Sequence, residues 1–361
     1  MRHLPIHRGK LTAIVGCGRV FERYYLPAIQ ADPRFQLVAV CDTSQERRDW
    51  VRAQIADVRV FEQVEGLLDQ TKPEVLLVTS PPNWHAEQCM AALRRGIHVL
   101  VEKPYARSSQ EWRAVQAGAK KSGALLWAAR SRRCRAPYRR LKAWLSGREA
   151  AKPETIHFDL SFPIGQWDAV SGYLGHPELG GGVIEDVVSH QVDLLNWLLA
   201  EEPLAAWVDA ESGTQTPARR LDYRLEYPSG RIARCIAEHG KVYREQITLT
   251  AHQGRSMIIA TDSLAARFPK RFDLVAGASH RVYRKLRRLL ARSRLRPDVT
   301  LESFRLQLTA LAADLERHRS GDRTTTAERW PLVSLLALEA IARAAQRPGS
   351  REPLRQAGLE P

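Results

Sequence analysis

Three side chains have the types and spacing needed for proton transfer at an alcohol. Asp186 and His190 are four residues apart, and Lys103 lies far upstream, before a proline. The spacing of four puts Asp186 and His190 on one face of a predicted helix. Histidine titrates near neutral pH and can accept a hydroxyl proton, while a lysine ammonium can stabilise a developing alkoxide. Asp186 would position substrate hydroxyls or fix the charge states of the other two, so the three together predict alcohol oxidation by hydride transfer.

Each of these residues also has an ordinary explanation as a surface pair or a solvated strand end, but their joint order favours catalysis. Asp193 is expected to orient the imidazole of His190, and Gly180 to Gly182 are expected to let the backbone approach a ligand or cofactor. Asp186, His190 and Asp193 could ligate a metal. No further cluster of Cys and His supports such a site, and hydride transfer to a dinucleotide needs none, so no metal is predicted.

A glycine motif near the N terminus predicts the site for a dinucleotide. Gly16 and Gly18 follow an apolar run and open a helix. The first glycine permits a tight turn, and the second lets the backbone approach a pyrophosphate at the helix N-terminus. Asp42 ends the second strand, where an acid can bind ribose hydroxyls. Phe21 occupies the third glycine position and is expected to push helix and strand apart or to reorient the turn. A structural glycine turn in another α/β protein is the alternative.

The cofactor preferred on these grounds is NAD, because the charge of Asp42 would repel a 2′-phosphate. Arg47 and Arg48 lie close enough in sequence to accommodate that phosphate, which leaves NADP as the alternative. Asn83 and His85 could instead cap a helix, and Glu102 could be a structural acid that holds the Lys103 loop. The residues expected to bind the cofactor are Gly16, Cys17, Gly18, Arg19, Val20, Asp42, Ser80, Asn83, His85, Glu102 and Lys103.

Apolar strands alternate with helix patterns in the first part of the chain, which predicts an α/β Rossmann domain over residues 1–131 with a doubly wound parallel sheet. Ser108 and Glu111 match a capping box that starts one of its helices. The predicted strands span 11–16, 36–42, 74–80, 98–103 and 124–130, with a helix at about 83–95.

Residues 132–361 are predicted to form an α+β domain with an open, largely antiparallel sheet, because apolar and polar residues alternate along its strands. One sheet face then needs cover, which predicts a homo-oligomer, either a dimer or a tetramer. An alternative for the last helix is that it packs back on the Rossmann domain. The predicted strands span 155–162, 221–227, 232–237 and 246–251, and the helices about 183–200, 301–319 and 327–345.

Two motifs, Glu102-Lys103-Pro104 after a strand and Gly180-Gly181 followed by Asp186 and His190, resemble those of the glucose–fructose oxidoreductase / inositol dehydrogenase family, called Gfo/Idh/MocA. The resemblance covers about residues 11–345. It implies a Rossmann domain, an open-faced sheet domain, and hydride transfer involving a sugar, cyclitol or related alcohol. It also places Lys103, Asp186 and His190 on the family's catalytic positions. The substrate expected is carbohydrate-like, with a sugar nucleotide included, and a non-catalytic dinucleotide-binding regulator is the alternative.

Composition limits the partners. The chain has 361 residues, 44% hydrophobic and 26% charged, with five scattered cysteines that indicate reduced thiols and a cytoplasmic protein. The net charge of +15 suits anionic substrates, but no nucleic-acid recognition module is present, so no nucleic-acid partner is predicted. The basic amphipathic segment 281–296 is interpreted as a surface helix that packs on its own domain. Docking on an anionic membrane is the alternative for that segment.

Overall fold

The computed structural model describes residues 9–147, 153–163, 172–173, 176, 179–212, 219–250, 256–260, 299–321 and 329–354. The chain forms two compact units. The first runs to Cys134 and takes in the described parts of Trp167–Gly181 and Thr300–Leu335. The second contains the described parts of Arg135–Gln166, Gly182–Val299 and Leu336–Pro361. The basic segment 281–296 lies outside the described residues.

The first unit is built on a parallel sheet, as the sequence predicts, but the sheet has six strands where five were predicted, because the short β3 was missed. The strand order is β3-β2-β1-β4-β5-β6, with the reversal between β1 and β4 that defines a doubly wound sheet. All four residues of the strand Val75–Val78 are fully buried, as expected for a strand covered on both faces. The strands are β1 (Lys10–Val15), β2 (Phe35–Cys41), β3 (Arg59–Phe61), β4 (Val75–Val78), β5 (His98–Val101) and β6 (Leu126–Ala128).

Helix α5 of this unit begins and ends with ordinary capping devices. Ser108 Oγ accepts a hydrogen bond from the Glu111 N–H (3.1 Å), which confirms Ser108 as the N-cap of helix α5, whereas a Glu111 carboxylate oxygen accepts from the Arg107 N–H. Gly123 ends α5 in the left-handed region. A π-helical turn (Phe21–Tyr25) leads into α1. The helices are α1 (Leu26–Gln30), α2 (Gln45–Gln54), α3 (Val64–Thr71), α4 (His85–Leu93) and α5 (Ser109–Ser122).

A helix from late in the chain completes the first unit, so a single boundary at residue 131 does not describe the division. Helix α8 (Val299–Arg319) packs its apolar side into the core around Tyr24 and Tyr25. The Phe304 ring stacks on Tyr24 at 4.8 Å and meets Tyr25 edge-on at 4.9 Å. The last helix, α9 (Trp330–Ala345), is shared between the two units.

The second unit contains a seven-stranded sheet in the order β12-β11-β7-β10-β9-β8-β13. Neighbours are antiparallel except β7 and β10, which are parallel. Along β7, β9, β10 and β11, one face is largely buried and the other is partly exposed, which agrees with the predicted open sheet. The strands are β7 (Thr155–Pro163), β8 (Ala205–Ser212), β9 (Arg220–Glu226), β10 (Ile232–Gly240), β11 (Arg244–Thr250), β12 (Ser256–Ala260) and β13 (Glu352–Pro353).

A helical segment lies against the buried face of this sheet. It begins with a π-helical turn (Ile184–Val188) and continues as α7 (Ser189–Leu199), while α6 (Ala136–Leu145) precedes the sheet. Gln191 anchors the segment by donating to the Phe158 carbonyl at 2.6 Å. Within the described residues, no helix has both the length and the apolar character needed to span a membrane.

Candidate active site

The glycine loop of the first unit has one tight glycine and one open glycine. Gly16 has φ 91°, and a Cβ there would lie 2.4 Å from the Ser80 backbone nitrogen. Only glycine lets the end of β1 approach the end of β4 so closely. A Cβ on Gly18 would meet nothing within 4 Å. The loop therefore leaves open space beside the start of a helix, where first-turn N–H groups lack intrahelical acceptors and suit a pyrophosphate.

Phe21 is accommodated by a change of helix type. Its side chain is fully buried and meets the Trp50 ring edge-on, with centroids 6.3 Å apart. The backbone from Phe21 to Tyr25 adopts a π-helical turn, which is wider than an α-helical turn. The ring that replaces the third glycine therefore becomes part of the core, and the reorientation expected at this position takes the form of an expanded turn.

Asp42 and two arginines are tied to this loop. Asp42 Oδ2 accepts a hydrogen bond from the Cys17 N–H at 2.6 Å. Arg47 Nε donates to the Cys17 carbonyl at 2.8 Å, and Arg48 Nη1 donates to the Asp42 carbonyl at 2.8 Å. Both arginines are buried, at 8% and 7% exposure. Their guanidinium groups thus hold the loop and the end of β2 together, and they are engaged with backbone oxygens.

His85 joins two loops at the carboxyl edge of the parallel sheet. Its ring nitrogens lie 2.8 Å from the Ser80 and Pro104 carbonyl oxygens, and the side chain has no exposed surface. Burial lowers the pKa of His85 from 6.5 to about 4, although the two carbonyls oppose that shift. Although His85 was expected to bind the cofactor, in this structure it ties the Ser80 loop to the loop after Lys103 and presents no atom for direct contact.

Ser80 and Asn83 follow β4 in the same loop region. Ser80 Oγ donates to the Gln88 amide oxygen at 2.6 Å. The Asn83 amide is placed to accept from the Trp84 indole N–H and to donate to the Leu179 carbonyl, each at 3.1 Å. Both residues remain partly exposed, in contrast to His85.

Glu102 is held by a network from three parts of the first unit. Its Oε1 accepts from the Tyr25 hydroxyl at 2.6 Å, and its Oε2 accepts from the Lys103 N–H at 3.1 Å. Gln307 Nε2 donates to the Tyr25 oxygen at 2.9 Å, while Gln307 Oε1 accepts from the Arg130 N–H at 2.6 Å. Burial raises the pKa of Glu102. These contacts favour the alternative that Glu102 is a structural acid that holds the Lys103 loop.

Asp186 and His190 lie in the second unit, where both remain partly exposed. Val187 and Val188 between them are fully buried, so the segment faces the core on its other side, as predicted. Asp186 belongs to the π-helical turn and contacts His239, with 3.1 Å between Asp186 Oδ2 and His239 Nε2. The His190 ring meets the Phe162 ring edge-on at 5.9 Å.

His239 was missed by the sequence reasoning, although a signal existed. Ala233, Cys235 and Ala237 alternate along β10 as buried residues, and His239 continues that series at the strand end. A polar side chain at the end of an apolar alternation must find a hydrogen-bond partner inside the fold. Its partner is a predicted site residue 53 positions earlier.

Gly180 lies against a proline. A Cβ on Gly180 would lie 2.8 Å from the Pro82 Cβ, so this glycine lets the backbone approach a proline ring, and its expected approach to a ligand stays a prediction. Asp193 is buried, and its expected role in orienting His190 stays a prediction. Among the described residues, no group of three or more His, Cys, Asp or Glu is arranged to hold a metal. Lys103 belongs to the first unit, so its joint action with Asp186 and His190 also stays a prediction.

A doubly wound sheet with a glycine loop and an acid after its second strand defines a dinucleotide-binding fold. Residues 10–130 match the family described as "Oxidoreductase family, NAD-binding Rossmann fold", and residues 138–258 match the "GFO/IDH/MocA C-terminal domain". The chain therefore belongs to the Gfo/Idh/MocA family of NAD-binding oxidoreductases, which confirms the resemblance stated from its motifs.

The curated relatives include dehydrogenases and reductases. The chain is 32% identical over 201 residues to inositol 2-dehydrogenase of Streptomyces avermitilis, covering 55% of each protein. It is 27% identical over 194 residues to 1,5-anhydro-D-fructose reductase of Ensifer adhaerens, covering 54% of this chain and 57% of the relative. The chain thus spans little more than half the length of the curated relatives it matches.

Solved structures match over nearly the whole chain. One is scyllo-inositol dehydrogenase from Lactobacillus casei with bound NAD(H) and scyllo-inositol, at TM-score 0.74 and 16% identity, covering 96% of this chain and 99% of that one. Another is the WlbA dehydrogenase from Bordetella pertussis in complex with NADH and UDP-GlcNAcA, at TM-score 0.75 and 22% identity, with the same coverage. At these identities the likeness shows the fold.

Proposed function

We propose that the protein is an NAD-dependent dehydrogenase or reductase that transfers a hydride between the nicotinamide and a secondary alcohol or ketone of a sugar, cyclitol or sugar nucleotide. The observation that carries the proposal is the pair Asp186 and His190. Both side chains remain partly exposed on a segment whose intervening residues are buried. An acid and a base kept at the surface in this way are available to a polyhydroxylated substrate.

Bound NAD supplies the hydride acceptor or donor, and residues of the first unit would hold it. The open space at Gly18 would admit the pyrophosphate, and Asp42 would accept hydrogen bonds from the ribose hydroxyls of the adenosine half. Arg47 and Arg48 are engaged with the backbone carbonyls of Cys17 and Asp42, respectively, and would have to leave them to bind a 2′-phosphate. This supports NAD over NADP.

Proton handling falls to the second unit and to Lys103. His190 accepts the hydroxyl proton when the alcohol is oxidised and returns it in reduction. Phe162 limits the rotation of its ring by edge-on contact. Asp186 accepts hydrogen bonds from substrate hydroxyls, and the Lys103 ammonium stabilises the developing alkoxide.

The relatives support the substrate class. Two curated relatives are named for inositol and 1,5-anhydro-D-fructose, and two similar structures contain scyllo-inositol or UDP-GlcNAcA. These molecules share several adjacent hydroxyl groups. The net charge of +15 favours an anionic member of this class, such as a sugar nucleotide.

The proposal is tested by following NADH spectroscopically with scyllo-inositol, a D-glucoside and UDP-GlcNAcA as probes. For a probe that turns over, His190→Ala should lower kcat by about 10²–10⁴-fold with NAD affinity unchanged, since it removes the base and leaves the dinucleotide site intact. Lys103→Ala should also lower kcat, whereas Asp186→Ala should act mainly on KM. The exposed Lys120 provides the matched control, since Lys120→Ala removes a similar charge from the surface of α5.

Near wild-type turnover in His190→Ala would remove this residue as the base. Loss of NAD binding in the same variant would place it in the cofactor site or the structural core. NAD binding without turnover of any probe in the wild type would point to the non-catalytic dinucleotide-binding regulator.

A further inference from the structure

The structure assigns a role to His239, which we propose is the positioning residue for Asp186. The proposal rests on the proposed function, in which Asp186 binds substrate hydroxyls. His239 Nε2 lies 3.1 Å from Asp186 Oδ2, and the two residues belong to different elements of the second unit, β10 and the π-helical turn. The contact therefore holds the partly exposed carboxylate of Asp186 against the sheet.

The chemistry of the two buried side chains decides which of them donates the hydrogen bond. The His239 side chain is 3% exposed and that of Asp186 is 15% exposed. An ionised carboxylate can only accept hydrogen bonds, so His239 Nε2 must carry the hydrogen. An imidazole buried to this degree would be costly without such a partner. The N–H of His239 thereby selects one orientation of the Asp186 carboxylate.

The strand register extends this support to His190. His239 on β10 stands directly opposite Phe162 on the parallel strand β7. Phe162 meets the His190 ring edge-on, while His239 holds Asp186. One cross-strand pair thus contacts both candidate catalytic residues, and the register of β7 and β10 sets where each contact falls.

The strand end that carries His239 is itself tightly packed. A Cβ on the next residue, Gly240, would lie 2.4 Å from Ser161 Oγ. On the other side, Phe162 stacks on Tyr243, whose hydroxyl donates to the buried Glu245. A rigid strand end can position a second side chain with little loss of freedom on substrate binding.

A purely structural role is the rival explanation, since the same hydrogen bond also fastens the helical segment to the sheet. Tyr227 offers a matched comparison. Its hydroxyl donates to Asn196 Oδ1 at 3.2 Å, so it too links the sheet region to this segment, through α7 and away from Asp186. Tyr227→Phe removes one such link and leaves the Asp186 contact in place.

The first measurement needs no substrate. Protein labelled with ¹⁵N in its histidines should show that the His239 ring carries a hydrogen on Nε2, with the His239 signals identified by their loss in His239→Gln. Asp186→Ala should shift the His239 ring signals more than those of any other histidine. A ring that carries hydrogen on Nδ1 alone, or His239 signals that do not change in Asp186→Ala, would overturn the proposal.

The second measurement uses whichever probe turns over. His239→Phe should raise KM by about tenfold or more with kcat within about threefold, because a charge-assisted hydrogen bond that orients the acid is lost. His239→Gln keeps an N–H donor in a similar place and should restore KM to near wild type. NAD affinity, measured by calorimetry, should not change in either variant.

The control fixes the interpretation. Tyr227→Phe should lower the free energy of unfolding to a similar degree as His239→Phe, yet leave KM unchanged. An unchanged KM in His239→Phe, or equal increases in the Phe and Gln variants, would show a structural role alone. If no probe turns over, the proposed function fails, while the histidine spectra still decide whether His239 holds Asp186.

Discussion

At the scale of single residues, the site around Asp42 leads to a prediction about cofactor choice. Asp42→Ala should weaken NADH binding and narrow the gap between NADH and NADPH, because the residue loses both its ribose contact and the charge that repels a 2′-phosphate. Calorimetric titration of both dinucleotides measures this. Asp49→Ala, at an exposed position on α2, is the control. NADPH binding as tight as NADH binding in the wild type would mean that Arg47 and Arg48 leave their backbone partners.

His85 leads to a prediction about pH. Its folded pKa of about 4 lies below the usual 6.5, so the unfolded chain takes up a proton first as the pH falls. The stability that neutral His85 provides is therefore present above pH 6.5 and is lost progressively toward pH 4. Urea unfolding should show that wild type loses about 2 kcal/mol more than His85→Gln between about pH 7.5 and pH 5. A smaller loss of unfolding free energy in the wild type would show that His85 becomes an imidazolium that donates to both carbonyls.

Which residues the sequence reveals depends on how far apart the partners lie in the chain. Gly16, Gly18 and Asp42 belong to one short motif whose spacing alone indicates a dinucleotide site. The bond from Gln307 to Tyr25 spans 282 residues, and that between His239 and Asp186 spans 53. No local sequence pattern predicts such hydrogen bonds, because they depend on how the elements pack.

At the scale of elements, apolar runs and apolar alternation predict nine of the thirteen strands of the described chain, and the bounds of these nine differ from the predicted ones mainly at the ends. The strands β3, β8, β12 and β13 were not predicted. The two π-helical turns of the described chain were not predicted. An apolar spacing of three and four residues is shared by α-helices and by helices with one expanded turn, so periodicity cannot separate them. Both turns occur where predicted site residues lie, at the glycine loop and at Asp186.

The first of these turns leads to a prediction about stability. Phe21→Gly restores the glycine of the dinucleotide fingerprint, yet it should lower the free energy of unfolding by about 3 kcal/mol or more, because a fully buried ring is removed. Phe21→Leu keeps most of the apolar volume and should cost less. Urea unfolding of the two variants at one pH makes the comparison. A Phe21→Gly protein as stable as wild type would mean that the expanded turn relaxes to an α-helix and refills the space.

At the scale of the whole molecule, the outer face of the seven-stranded sheet carries a prediction about assembly. Ile232 and Ile236 lie partly exposed on this face, among polar neighbours. We expect two or more copies to meet through it, because an open sheet face with apolar residues gains stability when covered. Light scattering should give a multiple of 40.8 kDa for the wild type and a lower mass for Ile236→Asp. A strictly monomeric wild type would contradict this.

The late helix α8 has a consequence for synthesis. After Cys134 the first unit receives only the described part of Trp167–Gly181 before the chain returns to it at Thr300. Until then, Tyr24 and Tyr25 lack their contacts with the ring of Phe304. At ribosomal rates of about 5–20 residues per second, that wait lasts roughly ten to thirty seconds. During this interval we expect the apolar surface around Tyr24 and Tyr25, which α8 later covers, to be exposed to solvent. A chaperone at the ribosomal exit therefore meets a defined target on this protein, which disappears only when translation has passed α8.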